Sequence, residues 1–402
     1  MTVLVLGLAR SGRAAALALA RRGDRVIAVD RSPDVDIGRL AEAGVEVHVG
    51  TEEPMRLEGV DVLIKSPGVP AEAPFVTAAR ARGIPVWSEV ELGSRLLAAP
   101  ILGVTGTNGK TTTSELLGVM LDAPVAGNVG RALTELVGVE GIEWIVCELS
   151  SFQLEDIHEL RPRIAVLLNL EPDHLDRHGS FEAYRDAKLR VFENQGPQDV
   201  AVLPRGFGEV PGRGRRIEFS AEDPLPAEPR IPGAHNRENA AAATAAARAA
   251  GVDDKRIAEA LRSFPGVPHR LEEVGQIGGV RFVNDSKATN AAAARRAIAA
   301  YEEPLHVILG GLGKKESYDE LAADLRSRGA RSYLIGAAAE ELAAALDDYE
   351  LCGDLATAVR SAAGAAKPGE IVLLSPACAS YDQFRDFEER GEEFRRLVEE
   401  LR

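Results

Sequence analysis

Ile101-Leu102-Gly103-Val104-Thr105-Gly106-Thr107-Asn108-Gly109-Lys110-Thr111-Thr112 runs from a short apolar strand through a glycine-rich turn into a helical pattern. Glycines in such a turn let backbone N–H groups converge on phosphate oxygens at a helix N-terminus. The residues that close it suit a nucleoside triphosphate: Lys110 serves the β- and γ-phosphates and the Thr111 hydroxyl reaches Mg²⁺. The strict spacing puts a glycine where Val104 stands, so Gly106 takes over the turning. The plain alternative is a glycine-rich turn without a ligand. The Gly-Lys-Thr ending favours ATP, held by Gly106, Thr107, Asn108, Gly109, Lys110, Thr111 and Thr112.

Outward from this loop, short β-branched runs alternate with helical patterns, the mark of parallel βαβ architecture. Three series separate. The first has strands at 3–6, 26–30, 45–49, 60–64 and 85–87, and ends in a hinge at 94–100. The second holds strands at 101–105, 144–148 and 164–169, helices at 181–194 and 236–250, and a Pro- and Gly-rich stretch at 204–232. Two prolines and a glycine within 263–268 form a second linker. The third has strands at 280–284, 305–309, 331–335 and 371–374, closed by an amphipathic helix at 386–401. The fold class is therefore α/β. Its domains are a Rossmann-like one at 1–93, a phosphate-loop one at 94–265 and a Rossmann-like one at 266–402, each around a mostly parallel sheet.

Composition narrows the function classes. The 402 residues are 45% hydrophobic and 27% charged, enough to build cores and unlike a disordered chain. Lys plus Arg number 47 against 62 Asp plus Glu, a net charge of −15. That argues against a general nucleic-acid binder, which needs clustered cations. No apolar run is long enough for a membrane span, and no basic leader precedes the first strand. The three cysteines lack CxxC spacing and offer no disulfide framework or zinc cage. A soluble cytoplasmic protein is expected.

Further motifs follow other strands. Gly7-Leu8-Ala9-Arg10-Ser11-Gly12 approximates the dinucleotide fingerprint, with Asp30 where a ribose-binding acid would sit. Ala9 replaces the middle glycine, so NAD, another nucleotide diphosphate and a bare βα turn stay open. Glu148 ends the strand beside the phosphate loop, well placed to hold Mg²⁺; an ordinary strand-end acid is the alternative. His174 and His178 in Asn169-Leu170-Glu171-Pro172-Asp173-His174-Leu175-Asp176-Arg177-His178 have no third zinc ligand at a recognisable spacing. Lys188 reads by itself as a solvated helix lysine. Asn236 and Asn239 open an alanine-rich helix, where Asn also caps. Asn284-Asp285-Ser286-Lys287-Ala288-Thr289-Asn290, Gly310-Gly311-Leu312-Gly313-Lys314-Lys315 and Ser375-Pro376-Ala377-Cys378-Ala379-Ser380 each leave a strand of one sheet and should converge on one crevice.

In this order, the motifs resemble the Mur ligase family, ATP-dependent amide-forming enzymes of peptidoglycan precursor synthesis. The pair Asp285–Asn290 and Ser375–Phe384 is similar to its D-glutamate-adding branch. The resemblance implies three α/β domains, the first binding a UDP-linked substrate. It implies that Lys110 and Thr111 hold ATP and metal, that Glu148 ligates a first Mg²⁺, and that His174 and Lys188, the lysine as a CO₂-derived carbamate, serve a second. Asn236, Asn239, Arg270, Asp285 and Lys287 would surround ATP. Thr289, Lys314, Ser380 and Phe387 would hold D-glutamate. Asn128 and His174 would meet the muramoyl side, and Ser11, Asp30, Arg31, Ser32 and Gly68 the UDP moiety. The implied substrates are UDP-N-acetylmuramoyl-L-alanine and D-glutamate, handled by a monomer with neither nucleic-acid nor membrane partners. An NAD-dependent oxidoreductase leaves Lys110 and Glu148 idle, and a scaffolding ATPase leaves the third-domain turns idle. A folylpolyglutamate synthetase does not account for Gly7–Gly12.

Overall fold

A computed structural model describes residues 1–51, 57–313 and 316–402. The chain divides into two compact bodies, residues 1–228 with 238–262 and residues 229–237 with 263–402.

The first body contains two sheets. In one, β1 (Thr2–Leu6), β2 (Arg25–Asp30), β3 (Glu46–Val49), β4 (Val62–Lys65) and β5 (Val86–Ser88) lie in the order β3-β2-β1-β4-β5, all parallel. Its strands are apolar on both faces because helices cover both. Helix Arg10–Arg22 lays Ala15, Ala16 and Leu19 on the sheet and stops at Gly23, whose φ of 89° closes the last turn. In the other sheet, β6 (Ile101–Thr105), β7 (Val125–Gly127), β8 (Ile145–Glu148), β9 (Ile164–Leu167), β10 (Val200–Pro204) and β11 (Arg215–Phe219) run β11-β10-β9-β6-β8-β7, again all parallel. The order reverses at β6, so the phosphate loop leaves the sheet at its switch point, where such sheets bind ligands.

Two local expectations change. The hinge expected at 94–100 is partly helix, Glu89–Leu96. Glu89 and Glu91 within it are fully buried. The Glu91 carboxylate accepts the N–H groups of His158, Glu159 and Leu160 at 2.9, 3.0 and 2.9 Å, which fixes the helix rather than freeing it. The helix expected at 181–194 ends at Leu189 and continues as a 3-10 turn, Arg190–Phe192. There the Arg190 guanidinium donates to the carbonyls of Leu154 and Ile157 and draws the chain out of register.

In the second body, β12 (Glu272–Ile277), β13 (Val280–Asn284), β14 (Leu305–Gly310), β15 (Arg331–Ile335), β16 (Tyr349–Gly353) and β17 (Ile371–Leu374) form a sheet ordered β12-β13-β17-β14-β15-β16. All pairs are parallel except the β12–β13 hairpin, which turns on Gly278 and Gly279, both at positive φ. The closing helix, Phe387–Glu399, buries Phe394, Leu397 and Val398, each apolar burial contributing about 1.5–3 kcal/mol.

Candidate active site

The phosphate loop is pinned from outside. Thr107 N–H donates to the Asn169 carbonyl at 3.0 Å and Asn108 N–H to Asn169 Oδ1 at 2.8 Å. Thr107 Oγ1 lies 2.9 Å from the Tyr184 hydroxyl. Gly106 adopts φ 151° with Leu168 and Asn169 against it. Gly109, at φ 82°, caps helix Lys110–Leu121. A Cβ on Gly109 would stand 2.2 Å from Asn239 Oδ1, so the expected ATP residue Asn239 touches the loop. Thr111 and Thr112 are buried at the helix start. Lys110 Nζ donates to the carbonyls of Gly106 and Thr107, both at 2.9 Å.

Around the loop stand the expected metal residues. Glu148 is buried at the end of β8; its Oε1 accepts from Asn128 at 2.9 Å, and its Oε2 has no hydrogen-bond partner among the described residues. A buried, half-satisfied carboxylate beside the phosphate-loop helix fits a cation. Among the described residues no three His, Cys, Asp or Glu side chains gather into a metal-holding group.

Lys188 is also buried, not solvated. Its Nζ donates to the Gly106 carbonyl at 2.8 Å and lies 4.7 Å over the Tyr184 ring. Burial first, then the Lys110 charge, push its amine down to about 7, against the pull of Asp173 and Glu148. His174 is half exposed, 3.6 Å from Asp173, on a left-handed backbone at φ 52°.

The expected UDP residues Ser11, Asp30, Arg31 and Gly68 line one cavity of about 280 Å³, with Thr51, Ser66 and Phe75. Ser32 does not line it; its N–H donates to Asp30 Oδ1 at 2.8 Å, while Oδ2 takes the Leu8 N–H at 2.5 Å. Asp30 thus shapes the glycine turn. A Cβ on Gly12 would meet the Gly7 carbonyl at 1.8 Å, which is why that glycine is needed. Asn128 does not line the cavity; it donates to Glu148, while Gly130 of the same turn accepts from Arg10 at 2.6 Å.

Family models match all three parts of the chain: "Mur ligase MurD-like, N-terminal domain" over residues 1–88, "Mur ligase middle domain" over 104–207, and "Mur ligase, glutamate ligase domain" over 269–378. The UDP-N-acetylmuramoylalanine–D-glutamate ligase of Acidobacterium capsulatum is 42% identical, the alignment covering 98% of this chain and 95% of that one. The chain belongs to the Mur ligase family. The ligase of the same name from Anaeromyxobacter dehalogenans is also 42% identical, over 99% of this chain and 97% of its own. The ADP complex of the MurF ligase from Thermotoga maritima aligns with a TM-score of 0.63 at 18% identity, over 94% of this chain and 96% of that one, and shares the fold.

The second body of this Mur ligase family member collects the other expected groups at adjacent strand ends. Asp285 follows β13; burial pushes its carboxyl up to about 7, and its Oδ2 accepts from Ser375 Oγ at 2.8 Å. Arg270 lies between His269 and Leu271, both at positive φ, a strained backbone of the kind that functional sites hold. Lys287 Nζ sits 5.2 Å over the Phe387 ring. Thr289 follows at the same turn, half-buried, and Ser380 is buried after β17. Asn236 donates to the Pro232 carbonyl at 2.6 Å. Lys314 lies outside the described residues.

Sequence reasoning missed the residue that ties these turns together. Arg390 is fully buried and donates to Ser286 Oγ (3.0 Å) and to the carbonyls of Ser286 (2.8 Å), Cys378 (3.2 Å), Ala379 (3.4 Å) and Gly310 (3.5 Å). An arginine inside an amphipathic helix reads as a surface charge, so no pattern marks it. Asn169, which holds the phosphate loop, was legible only as a polar residue ending a strand.

Proposed function

We propose that this protein joins D-glutamate to UDP-N-acetylmuramoyl-L-alanine with hydrolysis of ATP to ADP and phosphate, in peptidoglycan precursor synthesis. The observation that carries this is the 42% identity, over nearly the whole of both chains, to ligases named for that reaction. The phosphate loop, Glu148 as a metal ligand and the cavity lined by Ser11 and Asp30 support this reading. In this reading residues 1–93 bind the UDP substrate, 94–265 bind ATP and 266–402 bind the amino acid.

The substrate carboxylate attacks the γ-phosphorus, forming an acyl phosphate and releasing ADP. The D-glutamate amine then attacks the activated carbonyl, and phosphate leaves from the tetrahedral adduct. Lys110 neutralises phosphate charge through its fixed position on the loop. Two Mg²⁺ ions, one at Thr111 and Glu148 and one at His174 and a carbamate on Lys188, would offset the repulsion between two reacting anions. The low amine pKa of Lys188 supports the carbamate, because only a neutral amine adds CO₂. The attacking amine must likewise be neutral, and Asp173 and His174 are two candidates for taking its proton.

Asn236, Asn239, Arg270, Asp285 and Lys287 surround ATP in this scheme, and Asn128 meets the muramoyl part. Thr289, Lys314, Ser380 and Phe387 receive D-glutamate. No helix among the described residues is long and apolar enough to cross a membrane, and a cytoplasmic monomer is the form proposed. Phosphate release with UDP-N-acetylmuramoyl-L-alanine across a panel of amino acids, both enantiomers of glutamate included, tests the proposal. Preference for L-alanine or a diamino acid overturns it.

A further inference from the structure

His174 stands on a turn that cannot hold itself. Leu175–His178 is one helical turn, bounded by left-handed residues on both sides, His174 at φ 52° and Gly179 at φ 76°. A single turn is well below the length at which helices persist alone, and a left-handed histidine is uphill for its backbone. Hydrophobic burial is not the anchor, since Leu175 is exposed. His178, whose side chain is only 3% exposed, anchors the turn together with Arg177, whose guanidinium lies 4.2 Å over the Phe152 ring.

Its ring is held on every side. Nε2 lies 2.9 Å from Ser151 Oγ, and Nδ1 lies 3.3 Å from Glu155 Oε1. One face stacks on Phe152, 5.3 Å between centroids and 5° from parallel. The edge of the contact with Tyr184 is T-shaped at 5.3 Å. Nε2 and the Ser151 hydroxyl share one hydrogen bond, and the Glu155 carboxyl lies beside Nδ1. His178 N–H in turn donates to the His174 carbonyl at 3.0 Å. Ser151 starts the short helix just after Glu148, and Tyr184 reaches Thr107 of the phosphate loop. One imidazole therefore binds the His174 turn to both the acidic strand end and the loop.

We propose that His178 is a positioning residue for His174, acting through the Ser151–His178–Glu155 relay; this rests on the role given to His174 above. The test is a double-variant cycle in the full-length enzyme, with kcat, KM for ATP and thermal unfolding measured for His178→Phe, His174→Ala and the pair. Phenylalanine keeps the stacking and removes both polar contacts. The expected result is a kcat lower by about 10–100-fold, KM for ATP within about threefold of wild type, and no further loss from His178→Phe once His174 is alanine. Losses that multiply in the double variant overturn the proposal. A fully active His174→Ala overturns the role of His174 itself and leaves the relay to a second measurement. In metal-free wild-type protein, nuclear magnetic resonance of ¹⁵N-labelled histidines should find one imidazole N–H protected from exchange, lost in His178→Phe and shifted in Ser151→Ala. If no such proton is found, the anchor does not exist.

Discussion

Lys110 and Lys188 donate to the same acceptor, the carbonyl of Gly106, at 2.9 and 2.8 Å. Burial first, and then repulsion from the neighbouring Lys110 ammonium, push the Lys188 amine down to about 7. In the proposed mechanism Lys110 faces the phosphates and Lys188 is the amine that reacts with CO₂. Lys188→Ala should be nearly inactive, with partial rescue by formate or acetate occupying the lost oxygen positions. Lys188→Arg cannot form a carbamate and should be as poor as the alanine variant in phosphate release. An active arginine variant rules the carbamate out.

Lys110→Ala should lower kcat by at least about 10²-fold, as expected for loss of one preorganised charge contact. Its Nζ donates to the Gly106 and Thr107 carbonyls of its own loop, and thermal unfolding should stay near the wild-type value. Near-normal turnover would remove the loop from the reaction.

Arg390→Met keeps the volume and removes the donors that join Ser286, Gly310, Cys378 and Ala379. Losing buried, charge-assisted hydrogen bonds of this kind costs on the order of 2–4 kcal/mol, so the melting temperature should fall. The KM for D-glutamate should rise more than that for ATP, because the turns carrying Thr289 and Ser380 lose their common tie. Arg390→Lys, with a compact ammonium instead of a planar fork, should behave like the methionine variant. Steady-state kinetics with each substrate varied in turn decide the matter. An equal rise for both substrates means that the clamp does not act on the glutamate turns.

Glu89 supplies a stability test. It is fully buried, accepts from Thr134 N and Oγ1 at 2.6 and 2.7 Å, and burial raises its carboxyl from 4.5 to about 7. The folded state therefore holds a proton that the unfolded state releases at lower pH. The associated stability is fully present below about pH 4.5 and is lost as pH rises through 7. Glu89→Gln should be more stable than wild type at pH 8–9, by on the order of 1–3 kcal/mol, and nearly equal to it at pH 5. Denaturant unfolding at both pH values measures this; equal stability at pH 9 would mean that the carboxylate is compensated.

Much of the fold was legible because the parallel strands are continuous apolar runs, and Ile101-Leu102-Gly103-Val104-Thr105 leads straight into a loop with its own signature. What stayed hidden has physical reasons. β16 was missed because it is an edge strand whose alternate residues Tyr349 and Leu351 are exposed, so no core-facing run marks it. The start of the 94–100 hinge was misread because the residues that fix helix Glu89–Leu96, His158 to Leu160, are distant in sequence. Lys188 looks like a surface lysine in sequence; only the carbonyl of Gly106 and the ring of Tyr184 reveal it as buried. His178 was weighed only as one half of a zinc pair, since i, i+4 spacing reports a shared helix face and not what that face meets.

The β12–β13 hairpin is the one place where the third sheet runs against the grain. Its tip, Gly278-Gly279, therefore emerges from the edge opposite the turns that carry Asp285, Gly310 and Ser375. A fluorophore or affinity handle on Gly278, where an added Cβ meets nothing within 4 Å but sits at φ 56°, would cost about 1–2 kcal/mol of backbone strain and report on the second body from the quiet side of the sheet, away from its ligand-facing turns.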